Sequence, residues 1–565
     1  MTRKRLLIGL LALVLSPAAA ARPVQLMPGV TYERRLEWTA AGPVFTYVMT
    51  APRPGGFYRL APLLSNGTIT GRETVSSMER RVSAQMTTIG VNGDFFNWRG
   101  GWPTGVLMQD RVLEHHPADN RSALGIDPTG TLHVDRQPFL ASWRGVSSLD
   151  HAIAQLNEPP RPNGVALFTP VWGDATPAVK GVGVVLEPFP SAVPFTDLTG
   201  TVTRIVTDSP VSIPRDGAVL LARGAGAEAL QEDAAVSGQI TVRLALSRDW
   251  ASVTDAVGGG PALVRDGKPI ARSGESLTAV QLYGRDPRTS IGQRADGGLV
   301  IVAADGRRPG WSVGISNWDL ALSLIRYGCV TGIALDSGGS TTVAFDGRVL
   351  NRPSDPAGER PVGEALVVGY TGAYAPSPAP TLSPNGDRLD DREVLSYKLA
   401  RPSTVSAKLT APDGSSRELD AGQKPPGWYR VSWDGKDASG AVAPEGTYKW
   451  SVSATDDLGR TSTAERTFTL DDTLGFPRIG RNARTVGFTL VRDAVIRVTV
   501  EDRYGDILRT VAAGRRAAGA VAIRWNGRDG RRKLLRAGSY VVHLAATSAI
   551  GLSELRLPLR IRRSY

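Results

Sequence analysis

At 565 residues, with a net charge of +12 and a pI near 9.9, the chain is too long for one core, and two to four domains are expected. Its basic surface suits an anionic partner, a phosphorylated glycan or a cell-wall polymer; nucleic acid is set aside because no recognition motif is present and the basic residues are scattered. The single cysteine, Cys329, excludes an intramolecular disulfide, and its apolar setting reads as a small buried hydrophobe.

Arg3-Lys4-Arg5 precedes an apolar run from Leu6 to Leu15, and Ala18 to Ala21 offer a small-residue cleavage site. Residues 1–21 are therefore expected to be a secretory signal peptide. The run is too short to span a bilayer as a mature helix. No later stretch approaches membrane length, so no stable membrane anchor is expected. The mature chain is expected to be secreted or wall-associated, and the lack of disulfides suits a bacterial source.

Residues 22–373 read as an α+β domain, a mixed sheet with few helices. Short Val, Ile, Leu and Thr runs alternate with Gly, Asp and Pro turns. Gly90-Val91-Asn92-Gly93-Asp94-Phe95-Phe96-Asn97 comes first, then Pro103-Thr104-Gly105. Phe95 and Phe96 read as core. His115-His116 offers imidazoles with no Cys or acid at metal-ligand spacing, so a solvated loop without metal is expected. Arg121-Ser122-Ala123-Leu124-Gly125 is echoed by Arg288-Thr289-Ser290-Ile291-Gly292 at a constant offset, each after a Gly-containing hairpin. Such repeated strand–turn–strand units suggest related sheet elements around a shared centre. Asn317 to Tyr327 is the clearest helix, with Ser316 or Asn317 as N-cap and Gly328 past its end.

That helix leads to the most informative stretch, Ala334-Leu335-Asp336-Ser337-Gly338-Gly339-Ser340-Thr341-Thr342. A short buried strand delivers a carboxylate, and glycines and hydroxyls follow. Glycines let backbone N–H groups approach a bound group, and hydroxyls with N–H groups suit a sugar or phosphate oxygen. A Pro-rich stretch, 374–381, is expected to be a semi-rigid spacer. Beyond it, Trp433-Asp434-Gly435-Lys436-Asp437 with Gly446-Thr447-Tyr448 recurs as Trp525-Asn526-Gly527-Arg528-Asp529 with Gly538-Ser539-Tyr540, at equal Trp-to-Tyr spacing. Alternating strands flank both copies, so two tandem β-sandwiches are expected, 382–472 and 473–565. Their Trp and Tyr read as core. Asn385, Asp387, Asp390 and Asp391 gather oxygen ligands but lack full Ca²⁺-loop spacing, so a capped turn is preferred to a Ca²⁺ site.

Three blocks in order resemble the phosphodiester glycosidase family, which includes the lysosomal uncovering enzyme. They are Gly90 to Asn97, then Pro287 to Gly292 with Asp305-Gly306-Arg307, then Ala334 to Thr342 with Asp346-Gly347-Arg348 and Asn351-Arg352-Pro353. Together they cover roughly residues 60 to 370. The family usually has Asp-Gly-Gly-Gly-Ser, and here Ser337 replaces the first Gly. The two sandwiches resemble the immunoglobulin-like domain of the flagellar hook-capping protein. Asp336-Ser337-Gly338-Gly339 also looks like the nucleophile segment of trypsin-like proteases. However, none of His115, His116, His133, His151 and His543 has the matching setting, and Leu335 replaces a Gly.

The family resemblance implies cleavage of a sugar-1-phosphodiester to free sugar and phosphomonoester. It assigns catalysis to Asp94 and Asp336, with Arg288 as the phosphate-holding fork. Asn92, Gly93, Thr289, Asp305, Arg307, Ser337, Gly338, Gly339, Ser340 and Thr341 are the expected substrate-binding residues. No cofactor is required by this chemistry. A non-catalytic wall- or polysaccharide-binding protein on a degenerate form of the fold is the alternative, kept open by Ser337.

Overall fold

A computed structural model describes residues 23–562, apart from 208–209, 271–273, 438 and 482; the segment read as a signal peptide lies outside the described residues. The alternating runs up to residue 373 form four sheets, with four α-helices among the described residues. The fold class expected from the sequence, few helices on mixed β-sheets followed by immunoglobulin-like sandwiches, is the one observed. No helix among the described residues is long and apolar enough to cross a membrane.

One eight-stranded sheet places Arg288–Arg294 between Leu299–Ala304 and Cys329–Ala334. Gly292 pairs with Gly332 across it, and a Cβ at 292 would meet Cys329 Sγ at 2.9 Å, so the strands approach closely there. Helix Asn317–Arg326 packs on this sheet. Ser316 caps it, accepting from the Asp319 N–H, and Gly328 follows at φ +84°, a left-handed conformation that favours glycine. A five-stranded sheet pairs Thr87–Asn92 with Glu364–Tyr370, and helix Val75–Val82 covers it. A second five-stranded sheet pairs Ser122–Ile126 with Asp255–Gly258. The strand ends Asn92, Ala334 and Gly258 point their following loops at one place. The remaining eight-stranded sheet carries its own core around Trp143 and Trp250.

The two sandwiches have separate cores, one running from Ala373 to Leu470 and one from Leu474 to Leu559. The repeated aromatics perform the same task in each. Trp433 Nε1 donates to Lys436 O and Tyr448 Oη to Pro444 O; Trp525 Nε1 donates to Arg528 O and Tyr540 Oη to Arg536 O. Each aromatic thus buries its ring and pins the turn beside it.

The stretch 374–381 is not a free spacer. Tyr374 bridges to Lys398, Ala375 is buried in the first sandwich, and Thr381–Leu382 pairs with Thr461–Leu470. The prolines keep it extended, and the sandwich supplies partners for its backbone. Lys398, 2% exposed, reaches from the sandwich into the first domain. Its Nζ donates to Asp346 Oδ1 at 3.0 Å, Ser83 Oγ at 3.2 Å and Met86 O at 3.3 Å. Lys398→Ala leaves these partly buried acceptors, the Asp346 carboxylate among them, without their donor. It should lower stability by about 3 kcal/mol, read as a denaturant midpoint; an unchanged midpoint would mean the pair contributes nothing. The second sandwich docks through Arg352, whose guanidinium lies 3.7 Å from the Trp311 ring and 3.9 Å from the Tyr504 ring and pairs with Asp502 and Asp506.

The Asn385–Asp391 turn uses its carboxylates locally. Asp391 accepts from the N–H groups of Gly386 and Arg388, and Asp387 from those of Leu389 and Phe476. These bonds make it a capped turn.

Candidate active site

Three carboxyl groups meet where the strand ends converge. Asp94 follows Thr87–Asn92, Asp336 follows Cys329–Ala334, and Glu364 opens the strand paired to the first of these. Backbone bonds hold the loops together. The Asp336 N–H donates to Gly93 O at 3.0 Å, and the Gly93 N–H to Glu364 O at 3.0 Å. The Asp94 N–H donates to Glu364 Oε1 at 2.5 Å. Asn92 is the keystone: Nδ2 donates to Asp336 O at 2.8 Å, while Oδ1 accepts from Thr289 Oγ1 at 2.7 Å and the Thr342 N–H at 3.2 Å.

Asp94 has no exposed side-chain surface, and its oxygens accept from Arg121 Nη2 at 2.9 and 2.7 Å. Glycines admit it: a Cβ at Gly258 would stand 2.2 Å from Asp94 Oδ2, and one at Gly105 2.6 Å away. Burial pushes the Asp94 carboxyl up to about 6, opposed by the Arg121 charge. Asp336 rises to about 7, first from burial, with a push from Asp94; the Ser340 hydroxyl and the Ser337 N–H oppose this. Glu364 is pushed well above the carboxylate range by burial and by Asp94, and its Oε2 is buried with no hydrogen-bond partner. At neutral pH Asp336 is therefore near half-titration and Asp94 is mostly ionised. Neighbouring carboxyls whose environments separate their proton affinities are suited to divided acid and base roles.

Beside Asp336 the loop turns through Gly338 at φ +71°. A Cβ there would lie 2.7 Å from Arg307 Nη2, and one at Gly339 1.9 Å from Arg360 Nη2. Two guanidinium groups therefore lie against the bare backbone. Asp286 holds Arg307 at 2.6 and 2.8 Å, and Asp355 holds Arg360 at 2.7 and 2.8 Å. Arg360 Nη1 also donates to Ser340 Oγ at 3.3 Å. Trp98, 62% exposed, lies 4.9 Å from the Arg360 guanidinium. Ser337 adopts φ −125°, ψ −177°, extended backbone that any residue takes, so the departure from the family's glycine introduces no strain.

Several expected site residues stand elsewhere. Arg288 is buried and its guanidinium is committed to main-chain carbonyls, those of Ile315 at 3.1 Å, Val280 at 3.3 Å and Gly284 at 2.8 Å. It ties helix Ala279–Tyr283 to the sheet rather than facing the Asp336 loop as expected. Asp305 is a structural hub, accepting from Tyr47 Oη at 2.6 Å, Trp311 Nε1 at 3.2 Å, Asn351 Nδ2 at 3.2 Å and the Arg352 N–H. Thr289 supports Asn92, and Thr341 is buried behind the loop. Arg307, Ser337, Gly338, Gly339 and Ser340 stay beside Asp336. Glu364, Arg121, Arg360 and Trp98 join the group without having been singled out. His115 and His116 are buried, not solvated, because they close a strand that packs into the first domain.

Residues 196–369 match the family model described as phosphodiester glycosidase, and residues 386–457 and 479–549 match the FlgD Ig-like domain. The first match contains Asp336, Glu364, Arg307 and Arg360. The chain is 40% identical over 108 residues to the SPbeta prophage-derived uncharacterized protein YomE of Bacillus subtilis (strain 168), covering 19% of this chain and 16% of that protein. It is also 40% identical over 68 residues to the human N-acetylglucosamine-1-phosphodiester alpha-N-acetylglucosaminidase, covering 12% of this chain and 13% of that protein. The matches thus span a small part of either relative. A hypothetical protein from Synechocystis shares the fold, with a TM-score of 0.53 at 23% identity over 63% of this chain and 64% of that one. Carboxyl cluster, glycine loop and matched segments lead to one conclusion: the chain carries a domain of the phosphodiester glycosidase family, followed by two FlgD Ig-like domains.

Proposed function

We propose that the protein is a secreted bacterial hydrolase that cleaves a sugar-1-phosphodiester, in a glycan, wall polymer or exopolysaccharide, to free sugar and phosphomonoester. The observation that carries this reading is the juxtaposition of Asp94, Asp336 and Glu364 with a double-glycine loop faced by Arg307 and Arg360. Asp336, near half-titration at neutral pH, transfers the proton. Asp94, kept ionised by Arg121, stabilises the oxocarbenium-like charge or activates its attacker. The phosphate lies on the Gly338–Gly339 backbone beside Arg307 and Arg360, whose Nε–Nη2 edges are held by Asp286 and Asp355, leaving their Nη1 groups to donate to its oxygens. Trp98 offers a ring face to the sugar.

The test is hydrolysis of a panel of chromogenic sugar-1-phosphodiesters by the full chain, with both products identified. If glycan or wall polymer binds and no phosphodiester turns over, the non-catalytic alternative holds instead. Gly339→Ala supplies a sharper check, since its Cβ collides with the Arg360–Asp355 pair. A displacement of that size should cost about 100-fold in turnover on the phosphodiester. Arg288→Lys should leave the ratio of phosphodiester to neutral-glycoside activity unchanged, because Arg288 serves main-chain carbonyls; a selective loss on the phosphodiester would return it to the phosphate site.

A further inference from the structure

The strand Val112–His115 ends behind the Asp94 pocket, where His115 and His116 bring their rings to a centroid separation of 4.5 Å. Glu158 joins them from a segment some forty residues away, its Oε2 3.2 Å from His116 Nε2. One ligand atom from each of the three lies within 4.8 Å of the others, the one such group among the described residues. A tetrahedral ion with bonds of about 2.0–2.2 Å spaces its ligand atoms about 3.4 Å apart. The His116–Glu158 edge already has that length, and a modest closure by His115 completes the face.

His115 carries the decisive chemistry. Its Nδ1 lies 2.8 Å from Gly105 O and 3.0 Å from His116 O, both acceptors, so Nδ1 bears the hydrogen. Its Nε2 is then a bare lone pair, fully buried and without a hydrogen-bond partner. A buried acceptor facing no donor is costly in a native fold and calls for an occupant. Carbonyl-oriented imidazole of this kind is the usual arrangement around a bound metal ion. His116 Nδ1 lies 3.3 Å from Leu156 O and accepts from the Leu156 N–H at 3.3 Å; with Nε2 turned to an ion, Nδ1 carries the hydrogen and donates to Leu156 O instead. The Glu158 side chain is 35% exposed and supplies the entry path.

We infer that His115, His116 and Glu158 bind one divalent transition ion of the zinc type through two imidazole nitrogens and a carboxylate, with a fourth position open to water. Imidazole with carboxylate suits Zn²⁺ and its neighbours over Ca²⁺ or Mg²⁺. The ion takes the place of the direct His116–Glu158 contact. It stands behind the active site, because the Gly105 that His115 holds also gives its backbone N–H to Asp94. The site is thus a brace for the Asp94 pocket, and it stands independently of the proposed reaction.

The full chain, stripped with chelator, should bind one equivalent of Co²⁺ with the intense visible bands of a four-coordinate ion. Zn²⁺ should displace it and raise the melting temperature. Glu158→Gln keeps the side-chain shape at a half-exposed position, and His116→Asn removes a second ligand; each should weaken Zn²⁺ binding by at least about 100-fold. A wild-type chain that binds no Co²⁺ or Zn²⁺ overturns the inference. So does binding of wild-type strength in both variants, which would place the ion elsewhere, for instance at His543 with Glu501 and Glu554.

Discussion

Asp336→Asn should lower turnover at least about 100-fold, the scale of losing a positioned proton-transfer group, and yet make the fold more stable at mildly alkaline pH. The two effects share one cause. Burial raises the Asp336 carboxyl from 3.8 to about 7, so the folded chain holds this proton more tightly than the unfolded one. The stability tied to the proton is complete below the unfolded value of 3.8 and is lost as pH rises through the folded value of about 7. At about pH 8 the folded protein carries an unwelcome buried charge, worth up to about 4 kcal/mol at about 1.4 kcal/mol per unit. Asn removes that charge with nearly the same shape. Denaturant midpoints at about pH 5 and about pH 8 should therefore converge in the variant and stay apart in the wild type. Parallel midpoints together with a near-normal rate would remove Asp336 from both roles. A residue that destabilises the fold where it is most needed is expected of a site and not of a structural acid.

How much of this was legible beforehand depended on whether the signal was contiguous. Asp94 and Asp336 were legible because each sits in one loop with its own glycines directly after a strand. Gly338 announced a left-handed turn, and Gly339 announced a close approach. What the sequence could not announce was the identity of the approaching group, because Arg360 and Arg307 come from loops on either side. Glu364 stayed hidden for a different reason. It is the first residue of an apolar strand, 270 positions from the Asp94 N–H it accepts, and its one clue was an acid at the head of a wholly buried run. The two echoed arginines do different work: Arg121 pairs with Asp94, and Arg288 donates to main-chain carbonyls. Its neighbours serve the scaffold too: Pro287 O accepts the Gly338 N–H and Thr289 braces Asn92. His115 and His116 read as solvated because nothing beside them in sequence announces burial, whereas the fold packs them inside and brings Glu158 to His116 from beyond Gln155–Leu156. The sandwiches were the easiest part. Their Trp and Tyr recur at fixed spacing because the same two hydrogen bonds recur in three dimensions.

Arg121→Met should be the most damaging single change in the domain. Arg121 is the cation bonded to the Asp94 carboxylate, and it does so from a side chain only 10% exposed. Its absence leaves three carboxyl groups facing one another in a dry pocket with their compensating charge gone. Breaking one partner of such a buried pair typically costs about 3–5 kcal/mol. Part of that loss is avoided if Asp94 takes up a proton. The carboxyl already stands near 6 with Arg121 beside it, and without the charge it must rise further. Asp94 would then be protonated at neutral pH, where the proposed reaction needs it ionised. Turnover at neutral pH should fall at least about 100-fold, and the acid limb of the kcat/KM profile should move to higher pH, with partial recovery on the alkaline side. Arg121→Lys restores charge without the fork that reaches Thr104 and Asp94 together, so its acid limb should lie between those of the wild type and Arg121→Met. An acid limb that stays in place in both variants while turnover falls would make Arg121 a brace for the loop and leave the ionisation of Asp94 outside the mechanism.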